Sequence, residues 1–464
     1  MRIYDDLYGL IDFDDLVIRD IVDTKIFQRL RRIRQLALAE YVFPGATHTR
    51  FSHSLGAAHL MRRITENPKF KRKISRSQRK LLIRAALLHD IGHLPLAHSL
   101  EGVYRRQLEE KKKKTKRKTE TLGSVEMPSE LEKRMGESEQ VHEAISSYIV
   151  ESPELRGIIG KHETEEISQI LRGDHDRLLF NQLMHSHMDI DTIDYLRRDA
   201  KTTGIKYGEF DDSYLVGNIY IRKLGDKEVL CVDSHAIHTV EHYILAKYFY
   251  YLQILYHKIR LGYELLAEVC AYWMIKKRKL PSVENLQEWI DDGRFVTLDD
   301  CYFMQTLRQM HDHLKLPASI KGLFSVLLNR QHFSVEYEQR LVYTKINDED
   351  WEVEKRELIE KVRYCVGELS KTNLLEDESI TIGAPNYFPI SVEKREIYPL
   401  KEVTEQKASE QGAVMPVQER DTIKILFGNG MRNVNSVDNS VIEHLSGYTT
   451  VLVRYYYIPK DRMG

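Results

Sequence analysis

The sequence predicts a mainly α protein: an all-helical domain carrying one small β-hairpin, followed by a smaller α/β lobe at the C-terminus. Three observations predict it. Apolar residues recur at helical spacing up to about Arg278. Asn218 to Leu224 and Lys227 to Val232 are β-rich runs joined by Gly225-Asp226, a two-residue hairpin signal. From Glu376 onward Pro, Gly and β-branched residues become more frequent, and Tyr448 to Ile458 reads as a strand. The expected division is a helical domain over 1–290, a helical extension over 291–375 and an α+β lobe over 376–464.

The elements follow in chain order. Asp23 or Thr24 caps a helix bearing Ile26, Phe27, Leu30 and Ile33. Pro44 and Gly45 mark a loop before a helix from Phe51 to Glu66. Ser77 is a candidate cap for the next helix, whose apolar side holds Leu81, Leu82, Ala85 and Leu88 and which Ile91-Gly92 interrupts. The span 108–140 contains a dense lysine run and several breakers, and reads as a mobile surface insertion. Helices resume at His142 to Val150 and Met188 to Lys201. An aromatic-rich helical stretch runs from His235 to Lys276, and further helices are expected near Leu298 to His313 and Asp350 to Leu374.

Composition narrows the function. The 464 residues carry a formal net charge of -1, so no global field steers the chain to nucleic acid or an anionic membrane. No run of 18 apolar residues and no secretory leader is visible, and the four cysteines are scattered; a soluble cytoplasmic protein with reduced thiols is expected.

Three segments carry chemistry. Leu87 to Glu101 (LLHDIGHLPLAHSLE) holds His89, Asp90, His93 and His98. Neighbouring side chains on a helix diverge by about 100°, so His89 and Asp90 can meet one ion only at a distortion, which Gly92 supplies. His48 to Leu60 places Arg50 and His53 at a helix start, where an anion is favoured. Met188 to Lys201 puts Asp191, Tyr195 and Asp199 on one helix face. Imidazole and carboxylate together suit Mn, Fe, Mg or Zn, and such an ion activates water and neutralises phosphate charge. His93, His98 and His142 remain as imidazoles able to move protons near neutral pH.

The order His53…His89-Asp90…Asp191 resembles the HD superfamily of metal-dependent phosphohydrolases. The stretches IVDTKIFQRLRRIRQL, YVFPGATHTRFSHSLG, LLHDIGHLPLAHSLEG and DIDTIDYLRRDAKTTGI are most similar to its deoxynucleoside triphosphate triphosphohydrolases. That resemblance implies hydrolysis of a dNTP to deoxynucleoside and triphosphate by hydroxide attack on the α-phosphorus. It implies His53, His89, Asp90 and Asp191 as ligands of a divalent metal. It makes His98 the proton donor to the 5′-oxygen, with Glu101 and His142 in its proton network. His93 and Arg50 fall on the phosphate side, and Lys247 at a terminal phosphate. Gln35, Tyr195 and Asp199 match groups that bind the sugar 3′-hydroxyl, and Asp23, Gln28 and Arg31 match a regulatory site for GTP or dGTP. A homo-oligomer, dimer or tetramer, is implied as well. The chain departs from the family at Thr192, where relatives often carry Lys or Arg, and at Leu255, where a vertebrate relative has Tyr. Two rivals stand beside this reading: an HD phosphohydrolase of another nucleotide or nucleic-acid end, and a nucleotide-binding regulatory or assembly module.

Overall fold

The structure is a computed structural model. It describes residues 1–122, 127–138, 140–344, 350–351, 353–358, 360, 391–396, 422–428, 430–438, 440–445 and 448–458. Helices dominate, as the periodicity predicts. The central pair is α1 (Arg50–Glu66) packed on α2 (Arg76–Leu88). α2 starts at a capping box: Ser75 Oγ accepts the Gln78 N–H and the Gln78 side chain accepts the Ser75 N–H. The cap is therefore Ser75, two residues before the expected Ser77, because only Ser75 has a glutamine three residues on.

The span 108–140 differs from its expected loop. α3 (Glu101–Leu122) enters it, and α4 (Glu130–Glu137) occupies most of its second half. Leu131 and Met135, four residues apart, are buried, and Ser129 forms a capping box with Glu132. The polar composition of this span hid a short amphipathic helix.

α5 (Val141–Val150) and α6 (Ile190–Thr203) complete the surroundings of the candidate site. The expected stretch from His235 to Lys276 is two helices, α7 (Ile237–Tyr250) and α8 (Lys258–Lys276). A π-helical turn, Tyr251–Leu255, joins them, with the Tyr256 N–H bonded to the Tyr251 carbonyl. Such turns insert one residue into the helical repeat and occur often at functional sites. α9 (Asp300–His313) follows in the expected extension.

The predicted hairpin is present as Ile219–Leu224 paired with Lys227–Asp233. It does not stand alone: Lys424–Phe427 joins its second strand in parallel and Gly430–Asn433 extends the sheet to four strands. A second sheet pairs the predicted strand Tyr448–Tyr457 with Ser334–Thr344 and Ser391–Glu396. A small N-terminal hairpin, Arg2–Asp5 with Gly9–Asp12, was too acidic to stand out as strand. The helix expected over Asp350 to Leu374 falls mostly outside the described residues. Among the described residues, Cys231, Cys270 and Cys301 are free, and no helix is long and apolar enough to cross a membrane.

Candidate metal centre and its cleft

The first and last turns of three helices converge. Arg50 and His53 come from the start of α1, His89 and Asp90 from the end of α2, and Asp191 from the first turn of α6. His53 Nε2 lies 2.8 Å from Asp191 Oδ1, 3.6 Å from Asp90 Oδ2 and 3.1 Å from His89 Nε2. His89 Nε2 lies 3.4 Å from Asp90 Oδ1 and 3.6 Å from Asp191 Oδ1. The four residues named from the sequence therefore surround one point.

The hydrogen bonds fix the tautomers. His53 Nδ1 faces Asp194 Oδ2 at 2.8 Å, and His89 Nδ1 faces the Ala86 carbonyl at 2.8 Å. An ionised carboxylate and a carbonyl only accept, so both Nδ1 atoms donate. In the neutral rings both Nε2 atoms then carry lone pairs aimed at each other. Asp191 Oδ1, also buried, faces the two Nε2 atoms at 2.8 and 3.6 Å and meets no other donor. Two facing lone pairs and two carboxylates repel unless a cation sits among them. Distances of this size between donor atoms are the edges expected around an ion with bonds of about 2.0–2.2 Å.

Without an ion, protons take its place. Burial lowers the His53 imidazolium, but bonds to Asp191 and Asp194 override it and push its pKa up to about 10. Burial would raise the Asp191 carboxyl, yet His53 and His89 hold it well below the usual range. Burial opposes the ionised form of Asp90 too; Arg50, donating from Nη1 at 2.8 Å, and then His89 and His93 keep it low. The donor set thus calls for positive charge, and it fits a divalent metal.

Asp194, Arg198 and Asp5 were missed by the sequence reading. Asp194 receives two bonds from the fully buried Arg198, whose Nη1 also donates to Asp5 at 2.8 Å. The chain His53–Asp194–Arg198–Asp5 orients the imidazole from behind, a common arrangement for metal-binding histidines. The spacing of Asp194 and Arg198, four residues apart on α6, was its visible signal. A Cβ at Gly56 would sit 2.0 Å from Asp194 Oδ1, so only glycine leaves room for this pair.

A second cluster adjoins the first. Glu101 Oε1 accepts from His98 Nδ1 at 3.0 Å and from His142 Nδ1 at 2.7 Å, while Oε2 accepts the Val141 N–H. The His93 ring stacks on His142 at 3.9 Å, and His93 Nε2 lies 3.0 Å from Asp90 Oδ1. Desolvation by the cleft walls lowers the His98 imidazolium despite Glu101. For His142 burial also lowers it, but Glu101 wins and the net shift is upward. The carboxylate therefore joins two rings of opposite tendency and can hold a proton between them. His98 and His142, on either side of the 108–140 span in sequence, thus meet at one carboxylate oxygen.

On the other side, Gln35, Tyr195, Asp199, Tyr250, Tyr251 and Leu255 line the cleft with Arg50, His98 and Asp191. Asp199 accepts from His48 Nε2 at 2.6 Å and from the Tyr250 hydroxyl at 2.5 Å, two partners the sequence did not reveal. The buried Gln35 Oε1 has no hydrogen-bond partner. Beyond Asp191 the cleft widens to about 590 Å³ and reaches Thr192 and Lys247, whose Nζ lies 3.4 Å from Thr192 Oγ1. Lys247 thus lies across from Thr192, the position directly after Asp191. Gln28 and Arg31 are bonded to each other on the surface, with Arg31 over the Phe51 ring, and Asp23 is exposed nearby in sequence. A cavity of about 740 Å³ between Ile26, Tyr148 and Phe295 is lined by none of the predicted site residues.

Known proteins bear on this site. A family model described as HD domain matches residues 50–199, which begin at Arg50 and end at Asp199. The uncharacterised protein YwfO of Bacillus subtilis is 27% identical over 467 residues, covering 98% of this chain and 92% of that protein. The deoxynucleoside triphosphate triphosphohydrolase SAMHD1 of Bos taurus is 45% identical over 103 residues, which cover 22% of this chain and only 17% of the bovine protein. Among solved structures, a phosphohydrolase from Bacteroides thetaiotaomicron superposes with a TM-score of 0.65 at 22% identity, covering 98% of this chain and 99% of that one. This last likeness is one of fold.

Proposed function

The chain belongs to the HD superfamily of phosphohydrolases, and from that premise we propose that it hydrolyses deoxynucleoside triphosphates to deoxynucleoside and triphosphate. His53, His89, Asp90 and Asp191 hold the divalent metal. When bound, that ion supplies an activated water and offsets phosphate charge. The chain's own groups do the rest. Arg50 and Lys247 bind phosphate oxygens on either side of the metal site. Gln35, Tyr195 and Asp199 orient the sugar through its 3′-hydroxyl. The water gives up a proton to solvent and attacks the α-phosphorus as hydroxide, the bond to the 5′-oxygen breaks, and His98 delivers the proton that oxygen needs. Glu101 and His142 hold and replenish that proton. His93, stacked on His142, fixes the plane of the second ring.

The observation that carries this reading is adjacency: a cavity lined by His89, Asp90, His98 and His142 and a cavity lined by Gln35, Tyr195 and Asp199 share Arg50, His98, Asp191, Tyr195 and Tyr251. A second reading, an HD phosphohydrolase acting on another nucleotide, is favoured by Thr192, which removes one phosphate contact. A panel of the four dNTPs and a set of mononucleotides, each with Mn²⁺, Mg²⁺ and Fe²⁺, separates the two by chromatography. Inorganic triphosphate with free deoxynucleoside is expected; orthophosphate or pyrophosphate instead would give the case to the second reading. We propose the surface residues Asp23, Gln28 and Arg31 as a GTP or dGTP effector site in an oligomer. A GTP titration that changes neither activity nor oligomer mass would remove that part.

A further inference from the structure

The segment Leu298–Asp300 lies outside the matched domain, yet it reaches under both walls of the cleft. Asp300 opens α9 and is buried. Its carboxylate accepts two backbone N–H groups: Leu96 N through Oδ1 at 2.7 Å and Arg34 N through Oδ2 at 2.9 Å. Arg34 directly precedes Gln35, and Leu96 stands two residues before His98. One side chain therefore ties the loop of the sugar contact to the loop of the proton donor.

These loops need tying. Leu96, Ala97 and Ala37 all have positive φ, at 56°, 51° and 50°. Non-glycine residues adopt this region only when their surroundings impose it, and such residues cluster at functional sites. A second staple supports the first. Arg29, wholly buried, donates to the carbonyls of Leu298, Ile91 and His93.

We propose that Asp300 is a positioning residue that sets the spacing of Gln35 and His98 across the cleft. A carboxylate suits this task because both of its oxygens accept. An asparagine would turn an NH₂ group toward one of the two N–H donors. This inference rests on the reading of His98 as proton donor.

The test is a double-mutant cycle of Asp300→Asn with His98→Ala, assayed on the best dNTP of the panel. In the otherwise native protein, Asp300→Asn is expected to lower kcat by about tenfold to a hundredfold, the scale of a small misplacement of a reacting group. In the His98→Ala background it is expected to leave kcat within about twofold, while KM still rises through the Gln35 loop. Metal content stays at the native level. Asp300→Glu, which keeps the charge but moves the oxygens, gives the same pattern and serves if the asparagine variant fails to fold. Equal loss of kcat in both backgrounds, or native kcat in both Asp300 variants, would overturn the proposal. His98→Ala measured alone reports separately on the proton-donor role: full activity there ends that role, and the inference with it.

Discussion

His98 is half exposed to the cleft, while its partner Glu101 is held behind it by His142 and Val141. The proton network can therefore be cut without touching the metal ligands. His98→Ala is expected to keep its metal and slow turnover by roughly 10²–10⁴-fold, the usual scale for losing a general acid; single-turnover rates together with metal analysis check this. A native rate would remove His98 from the reaction. His53 makes a different prediction. Its pKa in the ion-free protein is raised from 6.5 to about 10, so the folded state binds a proton more tightly than the unfolded chain. The stability this contributes is fully present below about pH 6.5 and is lost as pH rises through about 10. Thermal melts of the metal-free protein should therefore lose stability over that window. Metal requires the neutral ring, so added metal should stabilise more strongly as pH rises. A metal-free melting temperature that is flat or rising from pH 6.5 to 10 would contradict the assignment of His53.

At the scale of elements, the site depends on how closely the helices approach. The four proposed metal ligands could be named from the sequence because each sits in a short, chemically dense segment. Their supports could not, because they are distant in sequence or ordinary in type: His48 and Tyr250 on Asp199, Asp5 on Arg198, and Asp300 on two loops. Gly92 was legible only as a distortion after His89-Asp90. The structure gives its tighter requirement. Its N–H donates to Ser146 Oγ, and a Cβ there would lie 2.3 Å from Ser146 N and 2.5 Å from the His142 carbonyl. Both clashing atoms are backbone, so α5 would have to move away. Gly92→Ala is expected to destabilise the fold by about 1–3 kcal/mol, as overpacking does, and to lower activity through His142. Denaturant unfolding reads the first effect, and an unchanged midpoint would show that α5 yields freely.

For the whole molecule, the helical class and the hairpin were readable from periodicity and a turn dipeptide, both local signals. The sheet that strand Lys424–Phe427 builds onto that hairpin was not. A parallel pairing joining residues near 230 to residues near 425 leaves no local trace. The C-terminal strands matter to the cleft through α7. Tyr248, next to Lys247, bonds through its hydroxyl to Thr450 Oγ1 at 2.8 Å, and Glu241 accepts from Ser440. The far end of the chain thus braces the helix that carries the proposed terminal-phosphate contact. Among the many dependencies, the metal centre is the one on which the chemistry stands. Its most direct test is the metal content of purified protein reloaded with Mn²⁺ or Fe²⁺, beside His89→Ala and Asp191→Ala. About one tightly held ion per chain is expected in the native protein, with loss of both ion and turnover in each variant. Ion binding that survives both substitutions unchanged would contradict the centre assigned to His53, His89, Asp90 and Asp191.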